Sequence, residues 1–389
     1  MNSTSNLVKA SAWTALVSVT AAGLAAIVVR LWEGLGVTNM TQHVPWGLWI
    51  ALYIYLIGLS AGSFLLSTLV YVFGVRRFEP VGPLALLQAL ICMLLAIVLI
   101  LLDLGHPERF LHVFIYWNPT SVLAWECLFY TAYIAIIVTE LYLVFGRPAS
   151  ARKWLRILGL IGIPVAVGVH GGTGAIFAVV KSRPTWYTGL LPIIFLVSAV
   201  VSGGALLTFL SAAVLPSDRD RKLPIIRTLA TITAATVALD LLLLASEVLV
   251  TFYGGMSSHV AAWKSILFGP YAWVFWGVQI ALGALIPMLI VAHPRARASI
   301  AWLGAAGVLV VVGVVGVRLN IVIPPLIEPE FAALPAAYQH ERFATGYFPS
   351  LNEWLVSMGV VALGVWGFAA GLRWLPIRGA AAAGEGELT

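Results

Sequence analysis

Apolar residues run through this chain in blocks of twenty or more positions, separated by short polar stretches. A helix rises 1.5 Å per residue, so about 20 apolar residues cross a ~30 Å hydrocarbon layer. Ten blocks satisfy that length, near 11–32, 46–74, 83–104, 121–145, 155–179, 190–215, 228–253, 270–292, 299–319 and 353–375. The pattern predicts an all-α transmembrane fold of about ten helices, forming a single integral-membrane domain over 1–389. The first block has long flanks and no small-residue cleavage site, so it reads as a helix rather than a removed signal peptide.

Composition narrows the class further. Hydrophobic residues make up 61% of the 389 and charged ones 10%, with mean hydropathy +0.99. A soluble domain carries roughly 45–50% apolar and about 25% charged residues. A water-soluble enzyme with an ordinary surface is excluded, and so is a disordered chain. The net charge of +6 is concentrated in particular connections. Lys9, Arg76, Arg77, Arg147, Arg152, Lys153, Arg156, Arg219, Arg221, Lys222, Arg227, Arg295, Arg297, Arg373 and Arg378 fall on one side, 15 of the 22 basic residues. Cytoplasmic loops are the ones enriched in Lys and Arg. Both termini are therefore expected in the cytoplasm of a bacterium or archaeon, with the chain multi-pass in the cytoplasmic membrane. The charge then needs no nucleic-acid partner.

The opposite face holds the loops 33–45, 105–120, 180–189, 254–269 and 320–352, rich in Trp, Tyr, Pro and His. Tyr116-Trp117-Asn118-Pro119 and Pro184-Thr185-Trp186-Tyr187 are examples. They form either an interfacial aromatic belt or a docking floor for an extracytoplasmic partner. The stretch 320–352, with Pro324-Pro325 and Pro349, is long for a mere connection.

A repeat is visible. Ser60-Ala61-Gly62-Ser63 in the second block recurs as Ser202-Gly203-Gly204-Ala205 in the sixth, 142 positions later. Asp103 near the outer end of the third block matches Glu247 of the seventh at an offset of 144. Blocks 2–5 (46–179) and 6–9 (190–319) are thus expected to form two four-helix bundles of the same orientation, with the first and last helices outside. Small residues allow the close approach by which membrane helices pack.

Charged groups at bilayer depth cost about 2.5–3.5 kcal/mol each even on the lenient insertion scale. Asp103, Glu126, Asp240, Glu247, His170 and Arg318 with Asn320 nevertheless lie in or at the ends of the spans. Asp240 and Glu247 are two turns apart on one helix face, which suits either a proton path, with Arg318 nearby in the second bundle, or a packing pair. His43 precedes Pro45-Trp46-Gly47 at the outer start of the second span. A quinone needs hydrogen-bond donors at its carbonyls, a proton exchanger and apolar walls. His43 supplies the first, and Asp103 would orient it or take its proton. His106, in the run Asp103–Arg109, adds a titratable group at the same level. The alternative is that both histidines are interfacial and bond loop carbonyls. The two cysteines, Cys92 and Cys127, lie in apolar runs and cannot build a cluster site, and His170 alone cannot supply a bis-histidine haem site. No metal, haem or iron–sulfur cluster is expected on this chain.

These residues carry a resemblance. Thr38-Asn39 followed by His43-Val44-Pro45-Trp46-Gly47-Leu48-Trp49-Ile50 resembles the start of the second helix in NrfD/HybB-type, polysulfide reductase-like membrane subunits. Asp103-Leu104-Gly105-His106-Pro107, then Asn118-Pro119-Thr120-Ser121-Val122-Leu123 and Glu126, is similar to the family's next two helices. Arg318-Leu319-Asn320 and Tyr347-Phe348-Pro349-Ser350-Leu351-Asn352-Glu353-Trp354 are similar to the end of its ten-helix branch. The resemblance implies a membrane anchor of a respiratory complex that exchanges electrons between menaquinone or ubiquinone and a ferredoxin-like iron–sulfur subunit on the extracytoplasmic face. That subunit would serve a molybdopterin enzyme, a hydrogenase, a multihaem cytochrome or a sulfur-metabolism module. It further implies that His43 contacts quinone and that Asp103 is the nearby acid. The quinone-binding set is completed by Trp46, His106, Glu126 and His170, and Asp240, Glu247 and Arg318 are candidates for proton conduction. A secondary transporter with midplane acids is the rival from another class, since parallel repeats occur there too. Clustering of polar residues near one surface, rather than around a central cavity, counts against it. A purely structural anchor is the third reading.

Overall fold

The computed structural model describes residues 2–146, 148–215, 219–329, 333, 340–375 and 377. Arg147, Arg378 and most of 330–339 from the expected long loop lie outside the described residues. Among the described residues, ten helices long and apolar enough to cross a membrane follow the ten blocks. They are α1 (Asn2–Glu33), α2 (Leu48–Tyr71), α3 (Gly82–Asp103), α4 (Val122–Gly146), α5 (Ala151–Ala178), α6 (Leu191–Val214), α7 (Arg219–Gly254), α8 (274–292), α9 (Ile300–Ile327) and α10 (Leu351–Trp374).

Two departures from the block boundaries have local causes. The ninth helix runs to Ile327 rather than stopping at 319, through Pro324-Pro325. Pro325 has no N–H for the carbonyl of Ile321, which instead accepts from Trp186 Nε1 at 2.7 Å. Arg183 Nη1 donates to the carbonyls of Pro325 at 3.2 Å and Glu328 at 2.9 Å, tying down the last turn. The loop 254–269 is correspondingly not all loop, since it contains the helix Ser257–Phe268. Within α8, Val274–Leu285 is π-helical before the α-helical turns Ile286–Ala292.

The packing follows the small residues. Helix α2 packs on α3, α5 and α6, α4 on α3 and α5, and α6 on α7 and α9, with α8 against α7 and α9. The α2–α6, α5–α6 and α2–α9 contacts join the two halves, and α1 packs on α10 outside them. The repeated Ser60–Ser63 and Ser202–Ala205 segments cross each other. A Cβ on Gly62 would lie 1.8 Å from the Ala199 carbonyl oxygen, and one on Gly203 would lie 2.4 Å from Ser63 N. Gly23 with Gly359, and Gly283 with Gly313, make the same kind of contact for α1–α10 and α8–α9. Buried Gln88 bonds Ser63 Oγ and donates to the Gly203 carbonyl at 3.2 Å, so α3 clamps the α2–α6 crossing.

The basic connections gather at one end. Arg77 Nη2 donates to the Pro224 carbonyl, Arg219 Nη2 to that of Ala298 and Arg227 Nε to that of Arg297. The loops rich in aromatic residues gather at the other, where Gln42 N donates to the Arg342 carbonyl and Asn39 Nδ2 to that of Phe348. The molecule thus has a basic end and an aromatic end.

Candidate functional site

At the aromatic end, the segments before α2 and α10 are joined through one carboxylate. Glu353 is fully buried in the first turn of α10. Its Oε2 accepts from Ser350 N at 2.8 Å and Asn39 N at 3.1 Å, and its Oε1 accepts from the Tyr347 hydroxyl. Tyr347 Oη in turn accepts from Leu48 N at 2.8 Å, satisfying an orphan donor at the start of α2. A Cβ on Gly47 would lie 2.2 Å from that hydroxyl, so glycine here leaves room for the tyrosine. Two of the motifs that carried the resemblance, 43–50 and 347–354, thus pack on each other.

Asp103 sits beside this cluster at the end of α3, within electrostatic reach of Arg30 and Glu353. Arg30, 1% exposed, donates to the carbonyl of Leu102 at 2.8 Å and to that of Leu104 at 2.5 Å. Asp103 Oδ1 is buried without a hydrogen-bond partner among the described residues. His43 lies in the preceding loop with its ring edge-on to Phe343 at 6.1 Å. No hydrogen bond joins His43 to Asp103 among the described residues. His106 is turned to the surface, where Nδ1 lies 2.9 Å from Glu108 Oε1. A backbone hydrogen bond, followed by this contact, holds the exposed Glu108 carboxyl below its ordinary value.

Trp46 begins an aromatic ladder into the interior. It stacks on Trp186 at 5.6 Å and meets Phe177 edge-on at 5.2 Å. Phe177 lies 5.9 Å from Phe195, over which the Arg318 guanidinium sits at 4.8 Å. Arg318 is fully buried, with Nη2 donating to Ser198 Oγ at 3.1 Å and lying 3.3 Å from His170 Nε2. Because α9 continues to Ile327, Arg318 and Asn320 stand inside the helix and not at its close. Polar groups therefore do occupy the centre as well as one surface, contrary to the clustering expected. The reason is that α2, α5, α6 and α9 meet there through Gly58, whose added Cβ would contact Ser202, Arg318 and His170 at 3.1–3.3 Å.

Glu126 forms a second buried centre. Its Oε1 accepts from Tyr130 Oη at 2.5 Å and from Thr173 Oγ1, while Oε2 has no partner among the described residues. Tyr53 Oη bonds Tyr130 Oη. Tyr133 bonds Ser60 Oγ at 3.0 Å farther along α4, and Glu140 follows with both oxygens buried and unpartnered among the described residues. Glu140, Arg30 and the three tyrosines are not singled out by the sequence, and Glu353 appears there only as part of the 347–354 motif. Glu140 was legible there as an acid within an apolar block, whereas the tyrosines looked like ordinary apolar filling.

Asp240 and Glu247 line one cleft, as their two-turn spacing requires, with Gln279, Asn320, Trp186 and Trp263. It is partly open and lies among α6, α7, α8, α9, the helix Ser257–Phe268 and the Trp186 loop. Asn320 Nδ2 donates to Gln279 Oε1 at 2.8 Å, and Asp240 is within electrostatic reach of Arg318. This cleft is thus the outer neighbour of the Arg318 centre.

Comparison with known proteins covers almost the whole sequence. It is 36% identical to a subunit of the selenate reductase of Mesobacillus selenatarsenatis, over 94% of this chain and 93% of that one. It is 32% identical to the "Hdr-like menaquinol oxidoreductase integral membrane subunit" of Archaeoglobus fulgidus, over 92% and 91%. A chain of the polysulfide reductase of Wolinella succinogenes is 25% identical over 74% of this protein and 96% of its own length. The family model described as "Polysulphide reductase, NrfD" matches residues 36–329, which holds His43, Asp103, the Arg318 centre and the acidic cleft. The chain belongs to the NrfD polysulphide reductase family.

Proposed function

We propose that this chain is the quinone-reactive membrane subunit of a multi-subunit respiratory oxidoreductase. The observation that carries the reading is Asp103 Oδ1: a buried, unpartnered carboxylate oxygen at the aromatic end, beside the segment that brings His43 to the same end. An unpaired buried polar atom costs about 1–3 kcal/mol unless a ligand or water meets it. A carboxyl, an imidazole and aromatic walls are the groups a quinone headgroup requires. The relatives named for menaquinol oxidation and polysulfide reduction support the same reading.

A bound quinone supplies two-electron, two-proton redox chemistry. The protein's part is to hold the headgroup and manage protons. His43 donates a hydrogen bond to one carbonyl, and Asp103 exchanges the proton, on a helix end whose last carbonyls Arg30 ties down. Trp46 and its aromatic ladder wall the pocket on the side of Glu126 and His170. A ferredoxin-like iron–sulfur subunit docks on the loops of the aromatic end and passes electrons to or from a further catalytic subunit, such as a molybdopterin enzyme or hydrogenase. The basic end faces the cytoplasm with both termini. Asp240, Glu247 and Arg318 offer a proton route in the second repeat.

The test is purification of the native complex, assay of its iron–sulfur content and measurement of its reaction with a quinol analogue. His43→Ala is expected to abolish quinone turnover, with k at least ~100-fold lower as for loss of a general acid–base group, while the complex still assembles. Full activity in that variant overturns the site.

A further inference from the structure

We infer that the acidic cleft of the second repeat is a second binding site for a quinol-class headgroup, an aromatic ring bearing hydroxyl groups. The inference rests on the proposed function only for the ligand's presence in the membrane; the site itself is argued from the cleft.

Two buried polar atoms belonging to residues that line the cleft are left without partners among the described residues. Trp263, 4% exposed, has an unpaired Nε1–H, and Asn320, 6% exposed, has an unpaired Oδ1. The first is a donor only and the second an acceptor. Asp240 and Glu247 add carboxylate acceptors on the same wall. The lining therefore wants a ligand that donates more than once and also accepts once. An ammonium headgroup donates but cannot accept, so it leaves the Trp263 N–H buried and unpaired. A phosphate accepts but meets two carboxylates. A phenolic hydroxyl does both, donating to a carboxylate or to Asn320 while accepting from Trp263. The rings of Trp186, Trp263 and Phe275 and the aliphatic residues between them suit a flat apolar body.

The repeat relates the two acids. Glu247 stands 144 positions after Asp103, each near the end of the second helix of its half. Each is followed by a short extra helix, His112–Ile115 in one half and Ser257–Phe268 in the other. The helix contacts correspond as well, α2–α3 to α6–α7 and α2–α5 to α6–α9. Glu247 is thus the repeat's counterpart of Asp103, although the surroundings differ: Asp103 meets Arg30 of α1 and Glu353 of α10, which stand outside the repeat, whereas Glu247 faces the cleft. The Arg318–His170 pair joins α9 and α5, one helix from each half.

The experiment is a binding titration of the native complex in lipid nanodiscs with 2-heptyl-4-hydroxyquinoline N-oxide, followed by the quenching of its fluorescence. Two equivalents per chain are expected. The double variant Asp240→Asn, Glu247→Gln loses one of them, with affinity there down at least tenfold, and keeps the other. His43→Ala shows the converse. Trp263→Phe keeps the shape of the wall and removes the N–H, so it weakens the second equivalent without moving the thermal midpoint. A single equivalent in the wild type, lost in His43→Ala and unaffected by the carboxylate and Trp263 changes, overturns this inference and leaves the proposed function standing. A single equivalent lost with the carboxylates and kept in His43→Ala overturns the His43 site and keeps the cleft. No binding at all overturns both.

Discussion

At the scale of single residues, Glu353 shows how one carboxylate organises the aromatic end. It accepts from two backbone N–H groups and one hydroxyl, closes the capping box with Ser350, and through Tyr347 caps α2. Hydrogen bonds to a charged group are each worth about 1.5–3 kcal/mol. Glu353→Ala is therefore expected to lower stability by roughly 3–5 kcal/mol, because it strips several such bonds at once. Glu353→Gln, which keeps an acceptor for each of the N–H groups in turn, should lose about half as much. Thermal denaturation of the purified protein in detergent checks both, and equal loss in the two variants refutes the role assigned to the charge. Glu353 stands within the segment 347–354 that carried the resemblance, yet nothing in its neighbours in sequence showed that it meets Asn39, more than 300 positions away. Asp103 was legible because an acid ending an apolar block is conspicuous. The neighbouring Arg30, from α1, was not, since only the packing of α1 beside α3 brings it to the carbonyls around Asp103.

At the scale of the element, hydropathy located all ten membrane helices, since bilayer thickness sets their length and the cost of unpaired backbone forbids other spanning structure. It misplaced the end of α9. A Pro-Pro pair reads as a stop when only the helix's own hydrogen bonds are considered. Trp186, 135 positions earlier, supplies the missing donor to the Ile321 carbonyl. Trp186→Phe is expected to fray the end of α9, so that amides of 320–327 exchange with deuterium at least ~10-fold faster, as follows from loss of about 1.5 kcal/mol of local protection. Unchanged exchange would show that the proline-containing turn stands without the indole. The helix Ser257–Phe268 was missed for a related reason. It is short, part apolar and bounded by Gly255 with φ +67° and by Gly269, so it looks like loop until the cleft it covers is seen.

At the scale of the whole molecule, the two halves are held together by a crossing of small residues and a buried polar centre. Arg318 from α9 reaches His170 of α5 and Ser198 of α6, with Asp240 of α7 within electrostatic range. Removing one member of a buried charged pair typically costs about 3–5 kcal/mol, because the other is left uncompensated. Arg318→Met should therefore destabilise by that amount, and adding Asp240→Asn should restore part of it, a coupling of roughly 0.5–3 kcal/mol. A thermal double-mutant cycle measures this, and strict additivity would separate Asp240 from the centre. The amino-acid sequence by itself determined where the long apolar spans lie, which connections carry the positive charge, and the 142-position spacing of the like segments Ser60–Ser63 and Ser202–Ala205, because these are one-dimensional properties of apolar length, charge and spacing. Only the tertiary structure decided that those two segments cross each other, that Arg318 is central and not terminal, and that Asp240, Glu247, Trp263 and Asn320 share one cleft. Such meetings depend on which helices lie side by side, and in a bilayer, where every helix is apolar on the outside, that choice is made by close packing of small residues and by the pairing of buried polar groups.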